Sequence, residues 1–185
     1  MASIARQFTR RYGLSYGLVE RMRKFLSANQ VEGPFEILAD DQRLKRALPC
    51  ALQEDINYEI RCPSLTVVNL FKDFQMMYPR LVRNLCQETL SEEVGVEGEV
   101  VFGKGDGCQK ALFLTAGIYK YHCAEQILST TPRVTPRNNK SGFGFDILIK
   151  GNVVSEAVLW TSWEHVGELH ALFDSLMMSM EAEKF

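Results

Sequence analysis

A chain of 185 residues with 46% hydrophobic and 24% charged side chains has the composition of a globular domain, and it is long enough to bury a core without staples. No run reaches the roughly 18 apolar residues that a membrane-spanning helix needs. The five cysteines, Cys50, Cys62, Cys86, Cys108 and Cys123, are odd in number, show no CxxC spacing and follow no secretory signal. That argues against a zinc-finger pattern or a secreted disulfide scaffold, and predicts reduced, mostly buried thiols in a cytosolic protein.

The net charge of −2 names no partner, but it is unevenly spread. Residues 1–30 carry six basic side chains (Arg6, Arg10, Arg11, Arg21, Arg23 and Lys24) against the single acid Glu20, and the rest of the chain carries 15 basic and 22 acidic ones. A basic end on an acidic body predicts a surface for phosphate, lipid headgroups or the acidic face of another copy. The same composition also fits a mitochondrial presequence. The chain is therefore divided into a basic N-terminal arm with an amphipathic helix, residues 1–30, and a globular domain, residues 31–185. Ser15 is placed to cap a helix reaching Asn29, with Leu18, Met22, Phe25 and Leu26 on its apolar face and Arg21, Arg23 and Lys24 opposite. That polar face is either a set of solvated charges or a surface that meets membrane or nucleic acid.

Gly33-Pro34 ends this segment, Phe35–Leu38 reads as a short strand, and Asp40–Ala47 as a charged helix or turn. Ile56, Tyr58, Ile60 and Cys62 alternate with Asn57, Glu59 and Arg61, the period of a strand, which Pro63 stops. Leu65–Met77 carries Leu65, Val68, Phe71 and Phe74 as the inward side of a helix. Pro79 breaks that helix after Tyr78, and Arg80–Leu90 resumes it with an acidic, fraying end. Glu99–Phe102 and Lys110–Thr115 read as strands around a loop, Gly103–Gly107. Its glycines would permit a phosphate cradle, but no helix start follows. Ile118, Tyr119 and Tyr121 suggest a further strand or a helix edge.

Ser129–Ser141 contains Pro132 and Pro136 and the cations Arg133, Arg137 and Lys140, and reads as an exposed, mobile loop, either a plain connection or a contact arm. Phe143–Lys150 alternates at period two, Gly151-Asn152 suits a tight turn, and Val153–Trp160 reads as the return strand of a hairpin. Thr161 and Glu164 form a capping box for a closing helix bearing Val166, Leu169, Phe173, Leu176, Met177 and Met180. Helices and strands are partly segregated, so the predicted class is α+β, a single domain with an antiparallel sheet packed by helices.

No catalytic pattern emerges among the nucleophiles, histidines and acids. His122, His165 and His170 lie in no Gly-rich elbow and pair with no nucleophile in the sequence, and His165 and His170 fall on different faces of the expected last helix. Asp40-Asp41, Glu54-Asp55 and Glu92-Glu93 lack metal-binding spacing. Trp160 and Trp163 read as core or staple residues. The chain is read as a non-enzyme with no cofactor and no metal.

The basic N-terminal segment, the strand Ile56–Cys62 leading into a long helix, the proline-containing loop and the late hairpin capped by a helix together resemble the matrix proteins of negative-strand RNA viruses, the rhabdoviruses especially. That resemblance implies a structural assembly protein, cytoplasmic or membrane-peripheral and present in the virion. It would self-associate into a homo-oligomer and bridge a viral nucleoprotein–RNA nucleocapsid to anionic lipid, with no small-molecule substrate. Arg6, Arg10, Arg11, Arg21, Arg23 and Lys24 would then meet the anionic surface, and Arg133, Arg137 and Lys140 would form a second contact. The alternatives are an RNA-binding module acting by backbone charge, or a cytosolic adaptor or small-ligand α+β domain with an ordered N-terminus.

Overall fold

The computed structural model describes residues 8–28, 44, 46–123 and 145–185. Helices fill the first part of the described residues, among them α1 Tyr16–Ala28, α2 Cys50–Leu65, α3 Asn69–Met77 and α4 Pro79–Glu88. Ten strands follow: β1 Leu90–Gly95, β2 Val100–Phe102, β3 Gly107–Cys108, β4 Lys110–Ala116, β5 Ile118–Cys123, β6 Asp146–Ile149, β7 Val153–Val154, β8 Trp163–Glu164, β9 Gly167–Ala171 and β10 Ser175–Glu181. The class is α+β, as the segregated pattern predicts. Two four-stranded antiparallel sheets, in the orders β1-β10-β4-β7 and β2-β9-β5-β6, face each other as a jelly roll. A two-stranded ribbon, β3 with β8, closes one end.

In two of the replaced elements the cause is burial on two sides. Ile56–Cys62 is not a strand but the middle of α2. Ile56 and Ile60, four apart, face the cluster built by Phe8, Leu18, Met22 and Leu52, whereas Tyr58 and Cys62, also four apart, face Leu65, Phe71 and Leu85. Two helical stripes offset by two residues imitate a period of two. The closing helix is likewise absent, and β8, β9 and β10 occupy its place. β10 is the inner neighbour of both β1 and β4. Met178 and Met180 pack toward the helices while Met177 packs inside the roll, so its apolar residues run on without alternating.

The Gly151-Asn152 turn is present, with Gly151 at φ 91° and the Asn152 amide donating to the Ile149 carbonyl at 3.0 Å. It does not make a hairpin. β6 pairs with β5 and β7 pairs with β4, so the turn carries the chain from one sheet to the other. Beyond Val154 the predicted return strand becomes a 3-10 turn, Glu156–Leu159. Phe35–Leu38 and Ser129–Ser141 lie outside the described residues, as does the boundary placed at residue 30.

The helices brace the outer face of the first sheet through Leu65, Phe71, Val82, Leu85 and Cys86, all buried against Ala111, Phe113, Met178 and Met180. Each such side chain contributes roughly 1.5–3 kcal/mol on burial. At the end of α4, where the acidic residues led to an expectation of fraying, Arg61 of α2 donates to the last carbonyls, Cys86 O at 2.7 Å and Gln87 O at 3.4 Å. A guanidinium at a helix C-terminus satisfies open carbonyls and complements the helix dipole.

Candidate functional site

At one end of the roll the loop after β2 and the segment before β9 are tied together by their backbones. Gly103 N–H donates to the Asp106 carboxylate at 2.7 Å and Gly105 adopts φ 83°, the turn its missing side chain permits. Gly105 N–H then donates to the His165 carbonyl at 2.8 Å, and His165 N–H to the Asp106 carbonyl at 3.0 Å. The imidazole is fixed as firmly as the backbone. It stacks on Phe102 at 3.6 Å between centroids and 12° between planes, and its Nδ1 lies 3.2 Å from Ser155 Oγ. Tyr121 stands edge-on to Phe102 at 6.4 Å.

Ser155 is the one non-glycine residue with positive φ among the described residues, at 62°. Holding a serine there costs about 1 kcal/mol or more, and such backbone is retained where the surroundings over-determine it. Here it turns the chain out of β7 into the 3-10 turn and aims the hydroxyl at His165. Burial holds the His165 imidazole below its usual pKa, with Asp106 opposing, so the ring is neutral at pH 7. The Asp106 carboxylate accepts from Gly103 N–H and acts on His165 through its charge.

A second constellation lies among the helices, in a cleft of about 420 Å³ lined by Ser15, Leu18, Arg21, Asp55, Tyr58, Glu59 and Arg83. Arg21 and Arg83 both reach Asp55, each at 2.6 Å, and Arg83 lies over the Tyr58 ring at 4.6 Å. The Glu59 carboxylate accepts from Ser15 N–H at 2.7 Å and Ser15 Oγ–H at 2.6 Å, capping α1 from another helix. Two cations are matched by two carboxylates, so the cleft acts as a brace that locks α1, α2 and α4. Burial raises the Asp55 pKa, but hydrogen bonds from Arg21 and Arg83 outweigh it and hold the carboxyl below its ordinary 3.8. Its contribution is therefore present above the unfolded-state value and lost as pH falls through the lower folded one. Asp55→Asn is expected to lower stability by about 1 kcal/mol at pH 7, because both pairs are partly solvated. The loss should shrink as pH falls through the lowered folded value, which urea unfolding at pH 7 and in increasingly acidic buffer checks.

Of the cations singled out from the sequence, Arg10, Arg11, Arg21, Arg23 and Lys24 are exposed. Arg21 is committed to Asp55, and Arg23 sits 3.4 Å from Glu20. Arg6, Arg133, Arg137 and Lys140 lie outside the described residues. The segment before α1 is packed, with Phe8 and Leu14 buried. His122 of β5 and His170 of β9 meet edge-on at 5.8 Å, while His165 sits apart at the roll's end, and the last helix expected to carry His165 and His170 is replaced by strands. Trp160 is exposed and touches Phe185 at 5.0 Å, a C-terminal staple and not core. Among the described residues no group of three metal-ligating side chains is present, and no helix is long and apolar enough to cross a membrane. Sequence reasoning missed Ser155 altogether and passed over His165, Phe102 and Tyr121. The available signal was the glycine loop after Phe102.

No protein-family model and no curated protein matches the chain. Similar solved structures include the N-terminal domain of a transcriptional regulator from Streptomyces coelicolor A3(2), at 18% identity and TM-score 0.43, covering 66% of this chain and 74% of that one. Another is a cyclic nucleotide-binding-like protein from Brucella abortus bv. 1 str. 9-941, at 13% identity and TM-score 0.48, covering 66% and 94%. Neither is a matrix protein. The strand Ile56–Cys62, the late hairpin and the closing helix that carried the viral resemblance are also not there. The matrix-protein assignment is therefore withdrawn. With it go the virion, the homo-oligomer, the nucleoprotein–RNA and anionic-lipid partners and the exclusion of a small-molecule ligand.

Proposed function

We propose that this chain is a non-enzymatic, small-ligand-binding α+β domain whose ligand is received at the mouth of the jelly roll. The observation that carries the reading is the strained Ser155 backbone holding its hydroxyl on a buried, neutral His165 that is stacked on Phe102. The mouths of β-barrels are favoured ligand sites, and they combine apolar or aromatic walls with a few placed polar groups. Phe102 and Tyr121 supply the walls, and Ser155 and His165 the polar groups. This lining suits a flat heteroaromatic ligand with hydrogen-bonding edges. The packed N-terminal segment also favours this reading over an extended, phosphate-tracking arm.

Cyclic AMP and cyclic GMP, the ligand class in the name of one similar structure, and adenosine serve as probes. Trp163 lies two residues from His165, so its fluorescence reports on the mouth. The expected result is a saturable change with at least one probe, weakened at least about tenfold by His165→Ala, the loss of one well-placed polar contact. No response to any of the three, with the chain shown folded by circular dichroism, would contradict the reading.

A further inference from the structure

We propose that His122 and His170 bind a divalent transition-metal ion of the kind that prefers imidazole, such as zinc, across β5 and β9 on the outer face of the second sheet. The two strands pair antiparallel, with His122 opposite Glu168 and Lys120 opposite His170. Side chains alternate between faces along a strand. Tyr119 of β5 and Leu169 and Ala171 of β9 are fully buried inside the roll. His122 and His170 therefore stand on the opposite face, as diagonal neighbours across the strand pair.

The spacing of the rings suits a shared ion. Their centroids are 5.8 Å apart with 83° between the planes. Two imidazoles bound to one metal at about 2.0–2.1 Å hold their centroids roughly 5 Å apart, so rotation about the side-chain bonds closes the difference. Glu168 prepares one of the two ligands. Its Oε2 lies 3.3 Å from His170 Nε2, and it stands two residues earlier on the same face. A carboxylate accepting from Nε2–H fixes the tautomer, leaves the Nδ1 lone pair for the metal and makes it more basic. The His170 side chain is 29% exposed and that of Glu168 51%, so an ion reaches the pair from solvent.

Lys120 works against a bound cation. It lies opposite His170, and its ammonium is drawn over the Phe145 ring at 4.3 Å, with the same ring 5.7 Å from His122. Lys120→Gln is accordingly expected to tighten binding. Two imidazoles leave the remaining coordination positions to water, and they select zinc or copper(II) over magnesium or calcium, which take oxygen ligands. The ion would tie β5 to β9 on the side of the sheet away from Phe102 and Tyr121, so this site is separate from the mouth of the roll.

The test is titration of the full, reduced chain with zinc chloride at neutral pH, following the ring-nitrogen resonances of labelled histidine. Saturable shifts are expected at His122 and His170 and none at His165, with magnesium and calcium shifting neither ring. This reading uses wild-type protein and does not depend on any variant folding. In variants shown folded by circular dichroism, His122→Ala and His170→Ala should each weaken zinc at least about tenfold, and Glu168→Gln, which keeps both ligands, by a comparable factor. Cys123 follows His122 but falls on the opposite face by alternation, so Cys123→Ser should leave the zinc affinity unchanged. Zinc that shifts neither His122 nor His170, that binds as tightly after both histidine changes, or that is lost with Cys123→Ser would overturn the proposal.

Discussion

Phe71→Ala is expected to destabilise the chain by about 3–5 kcal/mol, the usual cost of truncating a fully buried aromatic core residue. Phe71 has 0% exposure and joins three parts of the molecule: Phe74 of its own helix at 6.3 Å, Phe113 of β4 at 6.3 Å and Phe185 at the C-terminus at 5.8 Å. It is the side chain through which α3 grips the first sheet, so the cavity left by alanine opens between layers that cannot collapse onto it independently. At roughly 2–4 °C per kcal/mol for a chain of this size, the melting temperature should fall by roughly 6–20 °C. Phe74→Ala is the comparison. Phe74 is only partly buried on the same cluster, and its loss should be clearly smaller. Equal losses at both positions, measured by thermal unfolding in circular dichroism, would mean that Phe71 is not the joint.

Gly117→Ala is the second large effect. Gly117 turns the chain between β4 and β5 at φ 94°, a region L side chains rarely enter. An added Cβ would also collide with Ser175 Cβ and stand 2.9 Å from Ser175 Cα, which is backbone and cannot swing aside. The conformational penalty is about 1–2 kcal/mol, and displacing β10 adds to it, so a total of about 3 kcal/mol or more is expected. Gly98→Ala separates the two causes. Gly98 has φ 80°, and a Cβ added there would meet nothing within 4 Å, so only the conformational part should appear. Comparable losses at both glycines would show that the close approach to Ser175 carries no weight.

The class of the fold was legible because the amphipathic patterns of α1, α3 and α4 each face one core, and because Pro79 opens α4 after the break at Tyr78; Pro63, expected to stop an element, lies inside α2. β2 and β4 were legible too, since the glycines at 103, 105 and 107 separate two short apolar runs. Illegible were the elements buried on two sides. α2 serves two clusters and β10 serves both the helices and the roll interior, and each lost its diagnostic period by doing so. The site was hidden for a different reason. Phe102, Ser155 and His165 are brought together only by the crossing of strands, and neither a positive φ at a serine nor a stacked ring is written in local composition. Of the five thiols read as mostly buried, Cys62 and Cys86 are buried, Cys108 and Cys123 half-buried and Cys50 exposed.

Whether the mouth of the roll receives a ligand is decided by following backbone amide resonances of the isotope-labelled chain during titration with cyclic AMP. Saturable shifts are expected at Phe102, Tyr121, Ser155 and His165, with none at Arg21, Asp55 and Arg83. Shifts centred on the helical cleft, or an unchanged spectrum with this probe and with cyclic GMP and adenosine, would refute a ligand site at the mouth.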